Sequence, residues 1–181
     1  MAESILSLPE NDTAMSPLFN SVDALQQFGF EGFLPIPVLQ ESNCCYVLDV
    51  PGVYLVLRSS KTPPEFLAES TGGFFKGKNP TVLAGVLENK WVDNVLVLYI
   101  GKAGPAKGRT LRTRLAEYMR FGQAEAIGHW GGRYIWQLAD SGGLLVCWKE
   151  TYSDDPRKEE SQLIEKFEAV YKKLPFANLQ H

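Results

Sequence analysis

The chain has 181 residues, 45% hydrophobic, 12% aromatic and 22% charged, which is enough for one substantial core. A net charge of −3 and a pI of about 5.5 exclude a protein that is basic throughout and coats nucleic acid. The 16 Gly and 11 Pro are spread along the chain, which excludes collagen-like or low-complexity segments, and the longest clean apolar run, Val95 to Ile100, is far too short to cross a bilayer.

Taken in chain order, Ser21 to Phe28 is a short helix stopped by Gly29, and proline constraint makes Leu34-Pro35-Ile36-Pro37 extended. Pro51-Gly52 opens a strand over Val53 to Arg58. Pro63-Pro64, Gly72-Gly73 and Asn79-Pro80 break residues 59–93 into an insertion, with a short helix over Thr81 to Asn89. Val95 to Ile100 reads as a strand buried on both faces and ended by Gly101 and Gly104-Pro105. Leu111, Leu115 and Met119 mark the buried stripe of a helix from Arg109 to Phe121. Arg133 to Leu138 fits either a strand or a short helix, and Leu144 to Trp148 is a third strand. Asp155 caps a last helix that starts at Pro156 and runs to Lys173. The sum is an α+β fold.

Cys44 and Cys45 are neighbours and Cys147 lies far away, so buried free thiols in a reducing cytoplasm are expected. The opening Met1-Ala2-Glu3-Ser4-Ile5 lacks the basic and apolar regions of a signal peptide. With two histidines, one of them His181, no zinc-finger spacing is present. Charge is unevenly spread. Residues 1–50 carry Glu3, Glu10, Asp12, Asp23, Glu31, Glu41 and Asp49 and no Lys or Arg. Residues 101–133 carry Lys102, Lys107, Arg109, Arg112, Arg114, Arg120 and Arg133 against Glu117 and Glu125, a local charge of +5. Such a stretch fits either a focused polyanion site or an ordinary solvated face.

Two helices carry the chemistry. Ile164, Phe167 and Tyr171 project within about 40° of Glu160, which puts a carboxylate on the apolar face of the last helix. A charge there needs a partner, a hydrogen bond or a metal, unless the first turn lets it reach water. Arg114 and Tyr118 are one turn apart at the border of the middle helix's stripe. There an Arg can take a phosphate beside a Tyr hydroxyl that orients water, or the two simply stack at the surface.

Gly52-Val53-Tyr54 and Tyr99-Ile100-Gly101 resemble the two strand motifs that name the GIY-YIG nuclease superfamily. Arg114 with Tyr118 matches the family's Arg followed four residues later by His or Tyr. Glu160 before Leu163-Ile164 matches its metal-binding Glu, and Pro175-x-x-Asn178 matches its closing Pro-x-x-Asn. The five matches fall in the family's order over residues 52–178.

The resemblance implies a small three-stranded antiparallel sheet flanked by helices, and metal-dependent hydrolysis of phosphodiester bonds in DNA or RNA. Glu160 would hold one Mg²⁺ or Mn²⁺ in an oxygen-rich shell, and Arg114 would bind the non-bridging oxygens. Tyr54, Tyr99 and Tyr118 would position the attacking water, one of them as its base, and Asn178 would tie the C-terminal segment to the site. Gly101, Lys102, Arg109, Arg112 and His129 make up the expected substrate-binding set. The alternative is a catalytically silent nucleic-acid-binding or protein-interaction module.

Two departures from the family stand out. The strand tyrosines are 45 residues apart where a short hairpin is usual, and Phe74-Phe75-Lys76-x-Lys78 within insertion 59–93 either contacts substrate or packs over the sheet. Residues 1–50 form an acidic extension packed on a nuclease-like domain of residues 51–181. Target choice would then come from the insertion, a homodimer partner or another protein, with no membrane involved.

Overall fold

Six consecutive buried residues, β2 (Gly52–Leu57), form the centre of the fold. We describe it from a computed structural model covering residues 18–104, 106, 108–152 and 154–180. Among the sequence features above, residues 1–17 (with Glu3, Glu10 and Asp12), Pro105, Lys107 and His181 lie outside the described residues. β2 pairs antiparallel with β3 (Val97–Ala103) on one side and with β4 (Leu145–Glu150) on the other. β1 (Glu31–Pro35) adds to the far side of β4, giving one antiparallel sheet in the order β1-β4-β2-β3.

The α+β class holds, but the sheet has four strands and not three. The extra strand comes from the N-terminal extension and carries no strand signature. Gly32 and Phe33 both have positive φ, and the register slips between Glu31 and Leu34. Gly32 is required there because a Cβ would lie 2.4 Å from the Trp148 ring. Pro35 is tolerated because β1 is an edge strand. Of the stretch expected to be extended at Leu34 to Pro37, Leu34 and Pro35 are extended in β1, while Ile36 and Pro37 open α2 (Ile36–Glu41), with Pro37 in the first turn, where no helical amide is lost.

Helices cover both faces. α1 (Val22–Gln27), the 3-10 turn Leu18–Asn20 and α5 (Pro156–Tyr171) bury Phe19, Leu25, Leu163, Ile164 and Phe167 against Val53, Leu55, Val97 and Ile100. α2 and α4 (Leu111–Gly122) lie on the opposite face, where Leu111, Leu115 and Tyr118 meet Tyr54, Val56 and Tyr99. α4 starts at Thr110, whose hydroxyl and that of Thr113 form a reciprocal cap. Residues 133–138, which fit either strand or helix in the sequence, form the 3-10 helix Arg133–Gln137.

The insertion folds over the α4 face and includes α3 (Ala84–Lys90). Phe66 stacks on Phe176 and bridges to Leu138, and Gln137 joins the carbonyls of Leu67 and Val82 with its amide. The thiols of Cys44 and Cys147 are buried, and burial pushes Cys44 up to about 12, while Cys45 is exposed, contrary to expectation. Among the described residues no helix is long and apolar enough to cross a membrane.

Candidate active site

The site is built on one irregularity in β3. Val56 pairs with Tyr99 but Leu57 pairs with Val97, so Leu98 is an extra residue, a β-bulge. The bulge turns Leu98 and Tyr99 to the same face, and Tyr99 thereby joins Tyr54 beneath α4. The ring centroids of Tyr54, Tyr99 and Tyr118 lie 5.8 to 6.3 Å apart in a closed triangle. Gly101 does not end the strand as the sequence suggested, because β3 continues to Ala103. Gly101 lies directly across from Tyr54, and a Cβ there would come within 2.5 Å of the Tyr54 ring. Its role is to leave room for the tyrosine; no contact with substrate is needed to explain it.

A loop closes over the triangle. His129 is fully buried and stacks on Tyr118 at 4.3 Å. Its Nδ1 lies 2.9 Å from the Gly131 carbonyl, which can only accept, so Nδ1 carries the proton. Nε2 is then an acceptor for the Tyr54 hydroxyl 3.3 Å away. Buried on both sides, His129 does not face substrate as expected; it receives the Tyr54 hydrogen bond. The Tyr118 hydroxyl donates to the Gly132 carbonyl at 2.8 Å, so it anchors the loop and is not free to orient water.

Burial, and then the Arg114 charge, hold His129 well below the ordinary 6.5, so it is neutral. In the unfolded chain the group titrates near 6.5. As pH falls through that value the unfolded state takes up a proton that the native state refuses, and stability drops. Denaturation at pH 7, 6 and 5 should show a loss approaching about 1.4 kcal/mol per pH unit, and His129→Gln should remove that share. An unchanged slope in the variant would contradict the assignment.

Charge enters from two sides. Arg114, one helical turn before Tyr118, acts on both the Tyr54 and Tyr99 hydroxyls and donates to Glu117 at 3.0 Å. Burial raises all three phenols, Tyr99 and Tyr118 well above the usual value; at Tyr54 the Arg114 charge is the main opposing influence. Glu160 sits in the first part of α5, on the face that buries Ile164 and Phe167, as its spacing predicts. Its side chain is 14% exposed, it engages Lys102 of β3, and its charge also reaches Tyr54. Lys102 is therefore committed to Glu160, while the neighbouring acid on α5, Glu159, pairs with Lys149 at 2.8 Å.

The remaining expected residues fall into two groups. Asn178 bonds Ile100 twice, accepting from its N–H at 3.0 Å and donating to its carbonyl at 2.9 Å, which closes the free edge of β3. Asn178→Ala would strand two buried backbone groups, an expected loss of about 2–4 kcal/mol in chemical denaturation; wild-type stability would contradict this role. Arg109 reaches Glu117 at 3.3 Å and keeps over half its side chain exposed. Arg112 is tied to the Val47 carbonyl and lies 4.0 Å from Asp49, which also accepts from Thr110, so the acidic extension docks on the start of α4.

The carboxylate fits a hard divalent ion. Among the described residues no group of three or more His, Cys, Asp or Glu could hold a metal, which argues against a dedicated protein cage. Mg²⁺ uses another arrangement, one or two carboxylates with waters and substrate phosphate, and the half-buried Glu160 offers one such carboxylate. The sequence pattern did not reveal the His129–Tyr54 contact, for which the Gly128-to-Gly132 punctuation was the one local signal. Comparison of the chain with protein-family models, with curated proteins and with solved structures finds no match.

Proposed function

We propose that the protein is a metal-dependent endonuclease of the GIY-YIG type that hydrolyses phosphodiester bonds, with DNA as the first substrate to test. The observation that carries this reading is the closed triangle of Tyr54, Tyr99 and Tyr118 across from Gly101, with Arg114 one helical turn before Tyr118 and a neutral His129 accepting from the Tyr54 hydroxyl. The four-stranded sheet departs from the family's three, and the β1 addition leaves the Tyr54, Tyr99 and Gly101 register untouched.

In this reading Arg114 binds the non-bridging phosphate oxygens and offsets the charge that builds up in the transition state. Glu160 would hold Mg²⁺ or Mn²⁺, which supplies Lewis-acid stabilisation of the leaving oxygen when bound. Water attacks phosphorus and gives its proton to solvent, and the phosphorus bond to the leaving oxygen breaks as that oxygen takes up a proton from water. Tyr54 Oη, fixed by donating to the neutral His129 Nε2, orients the attacking water by accepting a hydrogen bond from it. Burial raises the Tyr54 phenol and keeps His129 neutral, so the pair holds a fixed hydrogen bond and the water proton goes to solvent. Tyr99, 7% exposed, stands beside Tyr54 toward solvent. Lys102 keeps Glu160 oriented and compensates its charge until substrate arrives. Target choice rests with the insertion, a second copy or another protein.

The test is incubation of the purified chain with labelled single-stranded, duplex and branched DNA in Mg²⁺ or Mn²⁺. Internal cuts that leave 5′-phosphate ends and stop with EDTA are expected. Binding without cuts on every substrate would favour the silent module.

A further inference from the structure

Most described cations of residues 101–133 are paired within the fold. Lys102, Arg109, Arg112, Arg114 and Arg120 each meet a carboxylate. Arg133, Lys76 and Lys78 form no ion pair among the described residues, and all three gather on the loop that covers the tyrosines. Arg133 lies over Trp130 at 4.4 Å and over Tyr134 at 4.8 Å. Its Nε and Nη1 are buried without a hydrogen-bond partner, which leaves Nη2 as the donor open to an incoming group. Lys78 Nζ approaches the same Trp130 ring at 6.0 Å, and Lys76 Nζ lies 5.3 Å from the Phe75 ring.

This placement comes from the insertion. Phe75 and Lys78 bridge across a turn in which Lys76 and Gly77 take positive φ. The Phe75 ring lies against Gly128, where a Cβ would come within 3.2 Å of it. So in the Phe-Phe-Lys-x-Lys run Phe75 packs while Phe74 and both lysines stay exposed. On the other side of the loop, Gly131 and Gly132 lie against Tyr99 and Tyr118, and Arg133 follows directly. A half-desolvated guanidinium with no carboxylate is costly in isolation, and aromatic faces offset only part of that cost. An oxyanion at Nη2, shared with the two lysines, offsets the rest.

We propose that Arg133, Lys78 and Lys76, held on Trp130 and Phe75, form a phosphate-binding subsite for the DNA strand flanking the scissile bond. The inference rests on the nuclease reading for the identity of the ligand, and binding and cleavage are measured separately. Fluorescence anisotropy with labelled DNA oligonucleotides in EDTA, over a salt series, compares the full chain with Arg133→Ala, Lys78→Glu and Glu160→Gln. Arg133→Ala and Lys78→Glu should each weaken binding about tenfold, and the slope of log affinity against log salt should become shallower by about one for each cation removed. Glu160→Gln, which removes a negative charge beside Lys102, should bind no more weakly than wild type. Lys78 is exposed, so its variant keeps the test independent of any folding defect at Arg133. Wild-type affinity and slope in both cation variants would overturn the subsite and leave the nuclease reading standing. Failure of the wild type to bind any oligonucleotide would overturn it as well. Weakened binding by the variants of a protein that never cuts would support the subsite and defeat the nuclease reading.

Discussion

Glu160→Gln is expected to lower DNA cleavage by about 10³-fold or more without weakening DNA affinity. The substitution keeps the shape of the side chain and an oxygen that can accept from Lys102, so α5 and β3 stay joined. What disappears is the negative charge that reaches the Tyr54 hydroxyl and that would hold the divalent ion. Lewis-acid stabilisation is worth several kcal/mol, and about 4 kcal/mol corresponds to a thousandfold. The lost ion pair itself is partly exposed, so its contribution to stability is about 1 kcal/mol or less. Single-turnover cleavage alongside a denaturation curve separates the two effects. A cleavage loss matched by unfolding would contradict the assignment.

Tyr54→Phe should reduce cleavage by about 10²-fold, the cost of a misplaced attacking water. The ring still fits against Gly101, so the core is retained. His129 Nε2 loses its buried partner, which costs about 1–2 kcal/mol. Tyr118→Phe is the informative contrast. It removes a hydrogen bond to the Gly132 carbonyl of similar cost, yet its hydroxyl is committed to the loop, so cleavage should fall less than tenfold. Equal losses in the two variants would mean that the tyrosines act together as packing and that neither orients the attacking water.

The elements with local signatures were legible in the sequence. β2 and β4 show as apolar, β-branched runs, and α5 announces itself by Asp155-Pro156 and by the spacing of Ile164 and Phe167 from Glu160. What escaped depends on contacts far along the chain. β1 is a strand because Gly32 receives the Trp148 ring, and nothing within residues 31–35 encodes that pairing. The bulge at Leu98 is a register choice against β2, invisible in a uniformly apolar run. In the site, the spacing of Glu160 and of Arg114 with Tyr118 placed them near the sheet motifs. It could not show that Lys102 is taken by Glu160, that the Tyr118 hydroxyl is taken by Gly132, or that Asn178 closes the edge of β3. His129 was visible as a residue, but its partner lies 75 positions away.

Charge shows the same division. The acidic extension sets the negative total, and its Asp49 docks on the basic stretch at Arg112 and Thr110. Several cations that made that stretch look like a polyanion site are thereby balanced within the fold, while Arg133 and the two insertion lysines, 55 and 57 residues apart from it in sequence, remain unbalanced.

The central claim is that one Arg, one Glu and a tyrosine with a histidine acceptor cut phosphodiester bonds. Nicking of supercoiled plasmid by the wild-type chain and by Arg114→Ala, at equal concentration in Mg²⁺ and with both proteins verified as folded, tests it most directly. The account predicts open-circular product with the wild type, none within the assay with Arg114→Ala, and none with either in EDTA. Intact plasmid with the wild type across DNA substrates, or equal nicking by Arg114→Ala, would contradict it.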